Sequence, residues 1–148
     1  MKWLTVFLIG CTSSGGGEAQ KGDAALHWGN QTFALATASA IADPAGMRIQ
    51  LGNDNVDCAT DLDKTEPPAG DYIYFKAPAA TGPIANVSFT LIVFQGNNIS
   101  IDLTGGTAQI DSVDTRVTGT ATFMTTDQNA TPDGMVTITG SFDVKKCF

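Results

Sequence analysis

Val136-Thr137-Ile138-Thr139-Gly140-Ser141-Phe142-Asp143-Val144 alternates apolar and polar residues along its length. A period of two belongs to a β-strand; a helix would repeat its apolar positions every three to four residues. One face of such a strand is apolar and the other carries hydroxyls and a carboxylate, so the strand is predicted to be half-buried. The stretch Val117-Thr118-Gly119-Thr120-Ala121-Thr122-Phe123 repeats the pattern. Both stretches hold a glycine inside the strand, at Gly119 and Gly140, where a bulge or a close backbone approach is expected. They are predicted to pair as a long hairpin across residues 126–134.

The same alternation recurs toward the N-terminus. Ile99, Ile101 and Leu103 alternate with Ser100, Asp102 and Thr104, and Ala108 and Ile110 follow. Ile73 and Phe75 alternate with Tyr72 and Tyr74; Met47, Ile49 and Leu51 alternate with Arg48 and Gln50. Phe33 and Leu35 open a further run. Val87, Phe89, Leu91 and Val93, with Ile92 and Phe94, form the most continuous apolar run, which predicts a central strand covered on both faces. Turn signals separate the runs: Asp43-Pro44, Gly52-Asn53, Pro67-Pro68-Ala69-Gly70, Thr81-Gly82-Pro83, Gly96-Asn97-Asn98, Gly105-Gly106 and Pro132-Asp133-Gly134. Short alternating runs at this spacing predict an all-β domain, an antiparallel β-sandwich of seven to nine strands with immunoglobulin-like or jelly-roll-like architecture. Only residues 53–62 are allowed helical geometry, as a short turn.

The N-terminus reads differently. Met1-Lys2 is followed by an apolar run over residues 3–9, too short for the roughly 20 residues of a membrane-spanning helix and matched to the core of a signal peptide. The run ends in Leu8-Ile9-Gly10-Cys11, which resembles the bacterial lipobox: aliphatic, variable, small, then the cysteine that receives lipid. Thr12-Ser13-Ser14-Gly15-Gly16-Gly17-Glu18-Ala19-Gln20-Lys21-Gly22 has no apolar face and suits a tether. The predicted organisation is a signal peptide over 1–10, a lipidated Cys11 with a flexible tether over 11–22, and one domain over 23–148. The lipobox resemblance implies diacylglycerol on Cys11, usually with a third chain such as palmitate on its amine. More than one acyl chain is needed for stable anchoring. Thr12 follows Cys11 where aspartate would signal inner-membrane retention in Gram-negative lipoproteins, so the resemblance points to the outer membrane.

Lipidation would resolve the odd number of cysteines. With Cys11 acylated, Cys58 and Cys147 remain as a pair, and export permits a disulfide between them. Two buried free thiols are the other reading. The net charge of −7 becomes −8 when Lys2 leaves with the leader. An acidic protein lacks the cationic field that gathers phosphate backbones, so nucleic acid is not an expected partner. The same charge opposes docking on anionic lipid, so the membrane contact is expected through the lipid on Cys11.

From Ile99 to the C-terminus the chain resembles a recurrent group of small Gram-negative lipoproteins. The elements that carry the resemblance are Val117-Thr118-Gly119, a loop, and Thr139-Gly140-Ser141-Phe142-Asp143 closed by Cys147. The resemblance implies a β-sandwich and a Cys58–Cys147 bridge. It implies no activity.

Candidate chemistry is sparse. His27 is the only histidine, it stands beside Trp28, and no Gly-x-Ser-x-Gly elbow occurs, so a hydrolytic triad is not expected. Neither Cys58 nor Cys147 has a Cys or His neighbour at zinc-ligand spacing. Asp54, Asp57, Asp61 and Asp63 lie in the most acidic stretch and are weak calcium candidates, because carboxylate oxygens suit calcium while the spacing is not that of an EF-hand. No pair of acids is placed to flank a glycosidic bond. Trp28, Tyr72 and Tyr74 are candidates for an aromatic recognition face, although aromatic pairs also simply stabilise sheets. Asn30, Asn86, Asn98 and Asn129 open Asn-x-Ser/Thr sequons, which a lipidated bacterial protein does not routinely use. The expected function is a non-enzymatic envelope lipoprotein that binds or supports an envelope protein or glycan at the outer membrane. A carbohydrate- or calcium-dependent binding module is the alternative.

Overall fold

The computed structural model describes residues 17–29, 31–67, 69–94, 96, 98–125 and 136–148. These residues form nine strands: β1 (Ala25–Trp28), β2 (Gln31–Ala34), β3 (Thr37–Asp43), β4 (Gly46–Gly52), β5 (Tyr72–Ala77), β6 (Gly82–Phe94), β7 (Asn98–Val113), β8 (Arg116–Thr125) and β9 (Val136–Lys146). The all-β expectation and the strand count hold. The segment at residues 53–62 contains turns and no helix.

The sandwich is corrected to a barrel. From β3 to β8 each strand pairs antiparallel with the next, and β8 pairs antiparallel with β9 from Arg116↔Lys145 to Thr125↔Val136. β9 then meets β3 in parallel at Ser39↔Lys145 and Ala40↔Lys146, closing a ring of seven strands. The expectation of wholly antiparallel pairing fails at this one contact. β1 and β2 form a hairpin that attaches to the upper edge of β9, with Leu26↔Ile138 and His27↔Thr137 in register. Period-two patterning looks the same in a sandwich and in a barrel, because both bury every second side chain.

Ladder geometry bends the sheet into closure. Register breaks on β6 on both sides of Val87, next to Asn86, which has a left-handed φ of 56°. A second break between Ile110 and Ser112 of β7 lies opposite Gly119 of β8. Such bulges sharpen the local twist and bend a strand.

The lumen is filled, not hollow. Phe75 and Phe89 pack at 5.0 Å between ring centroids, Phe75 and Phe142 at 5.9 Å, and Phe89 and Phe123 at 5.8 Å. Ala38, Ala40, Ala77 and Ala121 supply the small side chains that let these rings fit. Both expected close approaches occur. A Cβ on Gly119 would lie 2.0 Å from the Gln109 carbonyl oxygen and 2.8 Å from Phe142 Cζ. Gly140 has φ +130°, and the backbone of Ala24 passes 2.7 Å from where its Cβ would stand. β6 is covered on its inner face, but on its outer face only Ile92 is buried and Phe94 is 45% exposed.

Residues 17–24 seal the seam between β3 and β9. Glu18 donates to the Val56 carbonyl and accepts from Ala38; Gln20 donates to Ala36, Lys21 to Asp143 and Ala24 to Ser141. Lys145 pairs with Glu18 at 2.6 Å. The expected boundary at Asp23 therefore falls inside the seam: residues 17–22 of the stretch read as a tether are joined to the barrel by backbone hydrogen bonds. The signal peptide and Cys11 lie outside the described residues. At the other end of the seam Cys147 donates its amide to the Ala40 carbonyl and forms a disulfide with Cys58, 89 positions away.

Candidate functional site

The most structured feature of the barrel surface lies outside β3, β4, β5 and β6. In register, Ser39, Gln50, Tyr74 and Thr90 form one outward rung; Ile41, Arg48 and Lys76 form the next; Gly52, Tyr72 and Ile92 form a third. The described residues of the connection from β4 to β5, 53–67 and 69–71, do not leave this wall. They run across it as a strap whose ends are clamped together by Asn53 and Asp71, each donating its backbone N–H to the other residue. The connection exceeds the ~12–15 residues beyond which structureless loops become uncommon and usually have a role.

Several parts of the strap have partners on the barrel. Val56 and Leu62 are buried with Tyr72, Tyr74 and Ile92 in an apolar cluster separate from the lumen. Ser39 Oγ donates to the Asp57 carbonyl at 2.8 Å. Gln50 is fully buried and reads the strap backbone with both ends of its amide: Nε2 donates to the Thr60 carbonyl at 2.9 Å, and Oε1 accepts from the Leu62 N–H at 2.8 Å. Asn98 Nδ2 donates to the Pro67 carbonyl at 2.8 Å.

Arg48 is the electrostatic centre. It is 2% exposed, and its guanidinium pairs with Asp43 of β3, with Asp61, and with Asp63 at 2.9 Å. Its Cζ stands 5.6 Å from the Tyr74 ring centroid, a cation–π distance. Lys76 reaches Asp63 at 3.2 Å, and Lys64 reaches Asp61 at 3.1 Å. The Tyr74 hydroxyl donates to Asp63 at 2.9 Å. These contacts fix the ionisation of the group. The Tyr74 hydroxyl, then Lys76 and Arg48, hold the Asp63 carboxyl below the ordinary value against the opposing effect of burial. Burial pushes Asp61 up, but Lys64 and Arg48 outweigh it and leave this carboxyl lowered. The Ala45 N–H, supported by Arg48, lowers Asp43. Asp71 goes the other way, raised by burial. Burial also raises Tyr72 and Tyr74, so both remain neutral phenols.

The sequence candidates separate on this map. The four calcium candidates do not converge. Asp61 and Asp63 are taken up by protein cations. Asp57 Oδ1 accepts from the Ala59 and Thr60 N–H groups of its own turn, and Asp54 Oδ1 accepts from Asn55. Among the described residues no three His, Cys, Asp or Glu side chains gather as a metal cluster. The aromatic recognition face is corrected, because Trp28, Tyr72 and Tyr74 are 8%, 0% and 8% exposed. Trp28 belongs to the core, while Tyr72 and Tyr74 lie beneath the strap, where the rings fill space between the two layers. His27 sits in the β1–β2 hairpin with Nδ1 2.9 Å from Thr32 Oγ1, and among the described residues no Ser or Cys side chain is paired with it. Asn86 occupies the β6 bulge, and Asn98 is spent on the strap; Asn30 and Asn129 lie outside the described residues.

Sequence reasoning missed Ser39, Arg48 and Gln50. Their alternation with apolar neighbours reads as solvent exposure, which is correct for the side of the sheet and wrong for its cover. A signal was present: an acidic stretch too long for a simple turn directly follows a strand with Arg48 on its polar face. A comparison of the chain with protein families, curated proteins and solved structures finds no match.

Proposed function

We propose that this protein is a non-enzymatic lipoprotein of the bacterial envelope, anchored through lipid on Cys11, whose barrel binds or supports a partner at the outer membrane. The observation that carries this reading is the order of an apolar run, Leu8-Ile9-Gly10-Cys11 and a Gly/Ser-rich stretch, directly ahead of a disulfide-bonded barrel. The barrel suits a scaffold role. Its lumen is packed with phenylalanine rings, and its one histidine has a threonine hydroxyl as its side-chain partner. The wall of β7, β8 and β9 presents Thr107, Thr120, Thr122, Thr139 and Ser141 outward, a hydroxyl-rich surface bordered by the Asp23 carboxylate, which accepts from Ser141 Oγ at 2.6 Å. Its hydroxyls offer both donors and acceptors to a hydrated neutral partner, protein or glycan.

The test is the intact mass of the full chain purified from bacterial membranes, with and without reduction. The expected mass begins at Cys11, carries acyl chains, and gains about 2 Da on reduction, as two thiols replace one disulfide. A Cys11→Ala variant is expected in the soluble fraction. A wild-type mass that retains Met1 without lipid overturns the reading.

A further inference from the structure

We infer that the outer wall of β3, β4 and β5 is a recognition site for an acidic peptide segment, which the strap fills in cis and the Cys58–Cys147 disulfide latches shut. The contacts are those of a peptide in a site more than those of a loop covering a sheet. A single side chain, Gln50, satisfies the strap backbone at Thr60 and at Leu62, on both sides of Asp61. Leu62 is the anchor, 5% exposed between Tyr72, Tyr74 and Ile92. Asp61 and Asp63 flank it and are received by Arg48 and Lys76. The unit recognised is therefore Asp-Leu-Asp: one apolar anchor, two carboxylates and two backbone groups. Side-chain reading of backbone with alternate pockets is how extended peptides are recognised. Arg48 retains one donor, Nε, that is buried without a partner, so the strap does not exhaust the hydrogen bonding of the site.

The latch is reachable. Cys58 is exposed and Cys147 is half-buried, so an external dithiol can attack the S–S bond. That bond breaks, Cys58 and Cys147 become thiols with the two electrons and two protons supplied, and the dithiol closes into its own disulfide. Apart from its peptide connections to β4 and β5, the strap is then held by the Asn53–Asp71 clamp and its other noncovalent contacts alone. An acidic segment in trans competes with a cis ligand whose effective concentration is in the millimolar range for so short a connection. The disulfide closes the site to partners, and a reducing partner opens it. None of this depends on the lipid anchor.

The experiment uses the full chain and a fluorescein-labelled peptide of residues 56–66 with Cys58→Ser. Anisotropy is read against oxidised protein, against protein reduced with dithiothreitol, and against a Cys58→Ser/Cys147→Ser variant that also carries Leu62→Ala to weaken the cis strap. Hydrogen exchange of the strap and of β6–β8 is followed in parallel. Binding at least tenfold tighter to the opened proteins than to the oxidised one is expected. It should be lost when the peptide carries Leu62→Ala or Asp61→Asn/Asp63→Asn, while β6–β8 stay protected. Affinity that ignores the disulfide, or that survives neutralising the peptide, overturns the proposal. Failure of the peptide to bind once exchange shows the strap released also overturns it. So does loss of protection in β6–β8 together with the strap, or a strap that stays protected after reduction, because the strap is then no separable ligand.

Discussion

Arg48 shows how one side chain can join two layers. Its aliphatic stem lies on a strand whose alternate residues face the lumen, and its guanidinium gathers Asp43, Asp61 and Asp63. A buried ion pair is weak evidence for net stability, but breaking one by removing a single partner typically costs about 3–5 kcal/mol, because the remaining charges stay desolvated. Arg48→Met is therefore expected to lower the unfolding free energy obtained from urea denaturation by an amount in that range. Arg48→Met/Asp61→Asn/Asp63→Asn should recover part of the loss, and equal losses in the two would argue against the cluster as the cause. The same carboxylates make the strap acid-labile. A carboxyl lowered by folding adds stability above its unfolded value, about 4, and that contribution is lost as the pH falls through the lower folded value. Asp43, Asp61 and Asp63 all have this sign. Asp71 has the opposite one: raised by burial, it disfavours the fold at neutral pH and relaxes on protonation. Strap amides are thus expected to lose protection in hydrogen exchange below about pH 4, ahead of the lumen strands. Asp71→Asn is expected to stabilise the protein at pH 7, with the difference shrinking toward acid.

At the scale of elements, alternation placed most of the strands and the β8–β9 hairpin, and the two strand glycines marked real close approaches. It did not divide the first run into β1, β2 and β3, because Trp28, Phe33 and Leu35 give apolar positions without a clear register. It also did not reveal the β6 bulge. Asn86 holds a left-handed φ of 56° there, a conformation that asparagine tolerates and β-branched residues resist. Asn86→Val is expected to cost about 1–2 kcal/mol, and Asn86→Gly to be close to neutral. Chemical denaturation of the pair checks this, and a neutral valine would mean that the bulge can relax. The strap was legible as an acidic stretch and illegible as a cover. A loop's own composition says that it is polar; the opposite charges and the amide that make it dock belong to strands elsewhere in the chain.

For the whole molecule, closure is the decisive event. The direct β3–β9 contact is two residue pairs long, so the seam depends on residues 17–24 on one side and on the disulfide on the other. A chain beginning at Asp23 is expected to be less stable than one beginning at Gly17, with the loss in hydrogen-exchange protection concentrated in β3 and β9. Equal stability of the two would remove the seam segment from the closure. The amino-acid sequence by itself determined the all-β class, the strand periodicity, the inward-facing residues of most strands and the pairing partner left to Cys58 if Cys11 is acylated. Each is a local property, set by side-chain order along a pleated backbone or by the residues at hand. Tertiary structure alone decided barrel over sandwich, the burial of Tyr72 and Tyr74, and the capture of Asp61 and Asp63 by Arg48. These depend on which distant edges meet and on what lies over the outer face, and an alternating pattern is identical whether its polar side faces water or another segment of the same chain.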